Sequence, residues 1–293
     1  AVAAALALAL GRRASTRIVG PLARLRAAVA GLRADAPDPQ RLGPLEGYEE
    51  VDALRAALAD LLTRHGAALA QSRRFAADAA HELRTPLTMM QAELELAAER
   101  EDLPAGVAAS LARVRSTLGV LSSLSEHLLI LAAPLDRVRL DRDAVALSDV
   151  VREAIAALDP PRRARVASEL DDDAVVRGDA TLLRALIDNA LDNALKFAPA
   201  GAVTVRVSRE PDAAVLRVVD EGPGVAPGQR ERVFEPFYRT AAARAGATRG
   251  HGVGLALIAH VARAHGGDAR FEDATRGASL RVTLPPWRAS DAA

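Results

Sequence analysis

From Val107 onward the apolar residues of this chain recur as Leu111, Val114, Leu118, Leu121 and Leu128, with Ser125 breaking the run. That three-four spacing puts them on one stripe of a helix. The segment before it, about Ser72 to Glu99, reads as a helix carrying Phe75, Leu83, Leu87, Met90 and Leu94, and Asp102 to Pro104 supplies a short turn. A hairpin of two helices cannot bury seams of this length, whereas four helices can. The first half therefore predicts a homodimeric four-helix bundle.

The first of these helices contains His81-Glu82-Leu83-Arg84-Thr85-Pro86-Leu87. Positions i and i+4 share a helix face, so His81 and Thr85 point the same way with Glu82 beside them. A neutral imidazole offers one ring nitrogen as nucleophile when a neighbouring carboxylate takes or holds the proton of the other. Pro86 lacks an N–H and clashes with the carbonyl of Glu82, which predicts a bend at this turn. An isolated His-Glu pair would be read as a solvated helix face, because such pairs are common on surfaces.

Arginine supplies every basic residue except Lys196. A compact ammonium in an arginine-saturated chain hints at a specific need. Around it, Leu182, Leu183, Leu186, Ile187, Ala190 and Ala194 line an apolar helical face, while Asn189, Asn193 and Lys196 form a polar stripe at i, i+4 and i+7. Asparagine is poor inside a helix, so two in register call for a reason other than propensity, or for a chance tandem repeat of Asp-Asn-Ala-Leu. An amide oxygen is a hard ligand suited to Mg²⁺, and a lysine one turn on can meet a phosphate.

Val215 to Asp220 is rich in β-branched residues and reads as a strand running into Asp220-Glu221-Gly222-Pro223-Gly224. Taken alone, that pattern is more readily an ordinary turn than a site. Phe234-Glu235-Pro236-Phe237-Tyr238-Arg239 gathers three aromatics in a chain that is only 3% aromatic. Thr240 to Arg249 is small and polar, which suits a short flexible lid better than a packed element. Gly250-His251-Gly252-Val253-Gly254 then precedes an apolar helical run, where backbone N–H groups and the helix dipole favour phosphates. A dinucleotide fingerprint would need a preceding parallel strand, and the lid-like segment stands there instead. His251, His260 and His265 lack the cysteines or clustered carboxylates of a metal site.

Taken together, these motifs resemble those of bacterial two-component sensor histidine kinases. The heptapeptide is similar to their phosphoacceptor box, and the downstream segments to the N, G1, F and G2 boxes of their ATP-binding domain. The resemblance implies a multidomain α plus α/β fold, with a helical phosphoacceptor bundle followed by an α/β-sandwich of the Bergerat type. It implies ATP and Mg²⁺ as cofactors, with Asn193 coordinating Mg²⁺, Asn189 and Lys196 near the phosphates, and Phe197 beside the nucleotide. Asp220 would accept from the adenine amino group, Gly222 and Gly224 would shape the turn against it, Gly250, Gly252 and Gly254 would face the phosphates, and Arg239 would reach a phosphate. In the water-using gyrase and Hsp90 relatives a glutamate stands where this chain has Asn189. An amide cannot act as a general base, so the γ-phosphoryl is kept for His81. Glu82 would activate His81, and Thr85 falls at the family's phosphatase position. The implied partner is a separate response regulator that receives the phosphoryl group on an aspartate. A water-using ATPase and a nucleotide-binding scaffold without catalysis are the alternatives.

At the amino terminus Ala1 to Leu10 is wholly apolar yet only about 15 Å long as a helix, so it reads as the end of a transmembrane helix. Arg12, Arg13 and Arg17 follow, as on a cytoplasmic side. Leu22, Leu25, Val29 and Leu32 form one stripe, residues 34–48 a connector, and Val51, Leu54, Leu58 and Leu61 a second stripe. This resembles a HAMP relay module, with two surface helices of a larger domain as the alternative. The expected division is 1–11 membrane end, 12–70 relay, 71–133 dimerisation and phosphotransfer, 140–287 ATP binding and 288–293 tail, with a hinge over 134–143. A net charge of zero gives no electrostatic case for nucleic acid, and the absence of cysteine excludes disulfides.

Overall fold

The computed structural model describes residues 19–31, 38–44, 47–99, 103–133, 144–245 and 250–287. It divides into two units, one ending at Phe75 and one beginning at Ala76. The expected membrane end, the 134–143 hinge and the tail lie outside the described residues. Among those described, no helix is long and apolar enough to cross a membrane.

In the first unit residues 19–30 form helix α1, a 3-10 turn occupies Pro39–Leu42, and helix α2 (Glu49–Ala98) begins. Asp38 caps the turn by accepting from the Gln40 N–H at 2.9 Å. Leu25, Leu42, Val51 and Arg55 are buried together in this unit. Arg55 Nη1 donates to the Leu42 carbonyl at 2.7 Å and to that of Pro44, so the guanidinium satisfies connector carbonyls that have no helical partner. The expected stripes are only partly engaged: Leu22, Val29, Leu54 and Leu61 remain exposed, and Arg55 rather than Leu54 takes the inner position.

In the second unit α2 carries on to Ala98 with Pro86 inside it, and α3 (Ala105–Ala132) follows. Ala80, Leu87, Leu118 and Ser125 are buried, whereas Leu83, Met90, Val107, Val114 and Leu121 are exposed. The seam is thus only half covered within one chain, as expected of helices that lack a second hairpin.

Beyond it come β1 (Ala144–Ala146), α4 (Leu147–Ala156), α5 (Pro160–Arg163), β2 (Val166–Leu170), β3 (Val175–Arg177) and α6 (Ala180–Phe197). They are followed by β4 (Val203–Glu210), β5 (Ala213–Asp220), α7 (Ala241–Ala245), α8 (Gly254–Ala264), β6 (Asp268–Glu272) and β7 (Ala278–Leu284). The main sheet runs β2-β4-β5-β7-β6, parallel only between β2 and β4, and β1 pairs with β3 beside it. Helices α6 and α8 lie on one face and, with α4, close the core. Asp179 starts α6 by accepting from the N–H groups of Thr181 and Leu182. The apolar face of α6 is buried from Leu183 to Leu195, leaving its polar stripe to face outward. The other face of the sheet carries Arg206, Arg217, Arg281 and Arg270 in cross-strand register. They pair with Glu169, Glu210 and Glu272, as befits a solvated sheet face. The two-layer α/β sandwich behind a helical hairpin is the expected fold class.

The expected loop over 240–249 differs in part, since residues 241–245 form α7. Alanine has the highest helix propensity, and the Thr240 hydroxyl accepts from the Ala243 N–H at 3.1 Å to start the turn. Residues 246–249 lie outside the described residues.

Candidate active site

The polar stripe of α6 is roofed by the glycine-rich loop. A methyl group on Gly250 would stand 2.4 Å from Lys196 Nζ, and one on Gly254 would stand 2.9 Å from Asn189 Oδ1. A Cβ at either position would have to displace the end of the Lys196 side chain or the Asn189 amide. Gly252 adopts φ 73° with its Cα against the backbone of Phe237 and Tyr238, and its carbonyl accepts from the Phe237 N–H at 2.8 Å. Phe237 is itself held at φ 64°, uncommon for a non-glycine residue, and is exposed. Three motifs distant in sequence thus meet over one helix face.

Lys196 is half-buried. Burial lowers its pKa, with Asp192 opposing and the Arg239 cation reinforcing the shift. Asn189 Nδ2 donates to the Ala185 carbonyl at 2.8 Å and contacts His127 Nε2 at 3.2 Å. Asn193, half-buried, lies between Asn189 and Lys196 on the same stripe. Arg239 donates to the Ala243 carbonyl of α7, which ties it to the lid segment.

At the end of β5 the buried Asp220 accepts through Oδ1 from the N–H groups of Gly222 at 2.7 Å and Ala278 at 3.3 Å. Burial raises its pKa, and the two backbone donors hold the rise back. Gly222 sits where a Cβ would be 2.7 Å from the Phe197 carbonyl, so the turn after β5 abuts the end of α6. Gly224 in turn faces the carbonyl of Gly277. Gly277, at φ 75°, is the tightest point: a Cβ there would stand 1.7 Å from the Asp220 carbonyl oxygen.

The site therefore gathers amide oxygens fit for a hard cation, an ammonium fit for a phosphate, and a buried carboxylate fit for an exocyclic amine. Asn189, Lys196, Phe197, Asp220, Gly222, Gly250, Gly252 and Gly254 converge through direct approaches. Glycine backbone, rather than side chains, borders Asn189, Lys196 and Phe197.

His81, Glu82 and Thr85 project from α2 and are exposed. The turn that bears them is anchored by its neighbours: Ala80 and Leu87 are buried, and the Ser125 hydroxyl donates to the Ala80 carbonyl at 2.8 Å. Pro86 deprives the Glu82 carbonyl of its helical donor, and Thr88 Oγ1 donates to the Arg84 carbonyl at 2.9 Å.

Sequence reasoning missed Gly277, His127 and His265. Buried His265 accepts through Nε2 from the Asp179 N–H at 3.1 Å, while its Nδ1 lies 2.8 Å from the Val261 carbonyl, so it ties α8 to the cap of α6. The signals were thin: one glycine in a loop, and histidines whose partners in the site, Asn189 and Asp179, lie 62 and 86 residues away.

A family model described as the phospho-acceptor His Kinase A domain matches residues 71–134. A second, described as the histidine kinase-, DNA gyrase B- and HSP90-like ATPase, matches residues 178–288. The signal transduction histidine-protein kinase/phosphatase MprB of Mycolicibacterium smegmatis is 35% identical over 98% of this chain and 60% of its own length. The sensor protein BasS of Salmonella typhimurium is 30% identical over 94% of this chain and 76% of its own. Other curated relatives are spanned over about half their length. Among solved structures, full-length ShkA in complex with AMPPNP superposes with a TM-score of 0.59 at 25% identity, over 74% of this chain and 46% of that one.

Proposed function

Since the chain belongs to the two-component sensor histidine kinase family, we propose that it transfers the γ-phosphoryl group of ATP to His81 and then to an aspartate of a response regulator. The observation that carries this reading is the pairing, within one unit, of an exposed His81–Glu82 turn with a glycine-roofed stripe whose residue 189 is an amide. A carboxylate at that position would activate water, whereas Asn189 cannot, so the phosphoryl group is reserved for a nitrogen nucleophile.

Asn193 is the side chain to hold Mg²⁺, with Asn189 and Lys196 placed for the phosphates, Phe197 beside the nucleotide and Asp220 for the adenine amine. Bound Mg²⁺ neutralises phosphate charge. One ring nitrogen of His81 forms the N–P bond as the bond to the departing ADP oxygen breaks, and Glu82 takes or orients the proton on the other nitrogen. Positioning and charge neutralisation carry most of the rate. Thr85 is placed to orient a water for the reverse, regulator-dephosphorylating activity.

The half-covered seam of α2 and α3 supports a homodimer, and the helix–connector–helix of the first unit supports a HAMP relay adjoining a membrane segment over 1–11. The proposed division otherwise follows 71–133 for phosphotransfer and 140–287 for ATP binding.

Incubation with γ-labelled ATP tests the core of this reading. The expected product is an acid-labile, base-stable label that disappears in His81→Gln while nucleotide binding persists. Label retained in that variant refutes the site, and steady phosphate release without phosphohistidine indicates a water-using ATPase. Thr85→Ala is expected to autophosphorylate normally yet fail to dephosphorylate the regulator; unchanged dephosphorylation removes Thr85 from that role.

A further inference from the structure

Ser125 interrupts the apolar stripe of α3 at a position that is already buried within the single chain, 3% exposed. A hydroxyl in such a seam gives up hydration that an aliphatic side chain never had, so it needs a bonding partner. The partner closest to hand is the carbonyl four residues back in the same helix. Along α2 and α3, Thr63, Thr88, Ser110 and Thr117 take that partner, donating to the carbonyls of Ala59, Arg84, Gly106 and Arg113 at 2.7, 2.9, 2.9 and 3.0 Å. Ser125 departs from them: its Oγ donates across the hairpin to the Ala80 carbonyl at 2.8 Å.

The carbonyl it holds belongs to the peptide unit that joins Ala80 to His81. Ala80 and Leu87 are buried on either side of the reactive turn, but burial of apolar groups is non-directional and lets one helix slide or turn against another. A hydrogen bond weakens steeply once its angle is lost, so it restrains both motions. One residue of register corresponds to about 1.5 Å along a helix and about 100° around it. A displacement of that size would carry His81 off any fixed line of attack, since transfer needs the reacting atoms close and aligned. The restraint falls where the helix is weakest, because Pro86 leaves the Glu82 carbonyl without its helical donor.

We propose that Ser125 is a positioning residue for phosphoryl transfer: its hydrogen bond to the Ala80 carbonyl fixes the register and rotation of α2 against α3 at His81, so that the imidazole meets the γ-phosphorus in line. This role rests on the kinase reading for its consequence, but the hold on His81 is measurable without catalysis.

The test compares the full chain with Ser125→Ala and Ser125→Val, which lack the donor, and with Ser125→Thr, which keeps a hydroxyl in nearly the shape of valine. Three quantities are read below the melting temperature of every variant: the KM for Mg-ATP, the maximal initial rate of His81 labelling, and the carbon and proton resonances of the His81 ring. Loss of one net hydrogen bond predicts that the Ala and Val variants label about 3- to 10-fold more slowly at unchanged KM, with shifted ring resonances. Ser125→Thr should restore both. A role in stability alone would lower Tm and leave the labelling rate of the folded chain as it was. The proposal is overturned if the Ala and Val variants keep either the rate or the ring resonances of an unmodified chain that labels, if KM rises in place of a slower rate, or if Thr behaves like Val. If the resonances respond as expected while no protein labels, the unmodified chain included, the kinase reading fails and the hold on His81 stands.

Discussion

Helix α6 and the reactive turn of α2 each set polar side chains on one helix face, but one is enclosed by its own chain and the other stands open. Around α6, glycines from two loops approach Asn189, Lys196 and Phe197 so closely that a methyl group would collide. Around His81 the anchoring is all behind the turn, at Ala80 and Leu87, and the reactive side chains face outward. The difference follows from what each must do. A nucleotide site gains from preorganisation, because dipoles fixed in advance need not reorganise during reaction. On the proposed function, His81 must be reached first by a nucleotide and then by a separate protein, so enclosure would forbid one of the two.

The sharpest way to break this comparison is to add one methyl group to each region. In the enclosed region, Gly277→Ala places Cβ 1.7 Å from the Asp220 carbonyl at φ 75°. Backbone cannot yield as a side-chain tip can, so the loss should be about 3 kcal/mol or more, with a fall in Tm of roughly 10 °C and loss of Mg-ATP binding. In the open region, Gly119→Ala on α3 meets nothing within 4 Å. It should stabilise the helix by about 0.5–1 kcal/mol. Thermal melts of both variants decide the matter, and equal effects of like sign would remove the distinction between the regions.

The same contrast governs what was legible in the sequence. The polar stripe of α6, the three glycines before α8 and the His81 turn could be read because each compresses its chemistry into one or two helical turns. The seam of α2 and α3 was legible for the same reason, through its spacing. Gly277, His127 and His265 were not, since they act on Asp220, Asn189 and Asp179 across 58, 62 and 86 residues of chain, the first through Ala278. Nothing local marks such a residue. Arg239 was read toward phosphate only from its place beside a motif; its guanidinium donates to the Ala243 carbonyl of α7, and its charge also acts on Lys196. Residues 241–245 were taken as loop for their small size, although alanines after a capping threonine form a helix more readily.

The smallest effect sharpens the comparison at the level of one side-chain type. His81 presents its ring to solvent, whereas His265 is buried with both ring nitrogens engaged, Nε2 by the Asp179 N–H and Nδ1 by the Val261 carbonyl. That arrangement requires a neutral ring, because a protonated Nε2 could not accept from Asp179. Burial lowers the His265 pKa below its usual 6.5, against the opposing Val261 hydrogen bond and Asp179 charge. The unfolded chain therefore takes up the proton first as the pH falls. The contribution of this group to stability is whole above about pH 6.5 and declines as the pH drops below it, until the folded ring also protonates. His265→Gln retains an acceptor and a donor but no titration. Between pH 7.5 and 5.5 the Tm of the unmodified chain should fall by a few degrees more than that of the Gln variant, while carboxylates common to both cancel. Parallel curves would show that the clasp between α8 and the cap of α6 does not depend on the ring's charge, and would leave His265 no more pH-responsive than a side chain that never ionises.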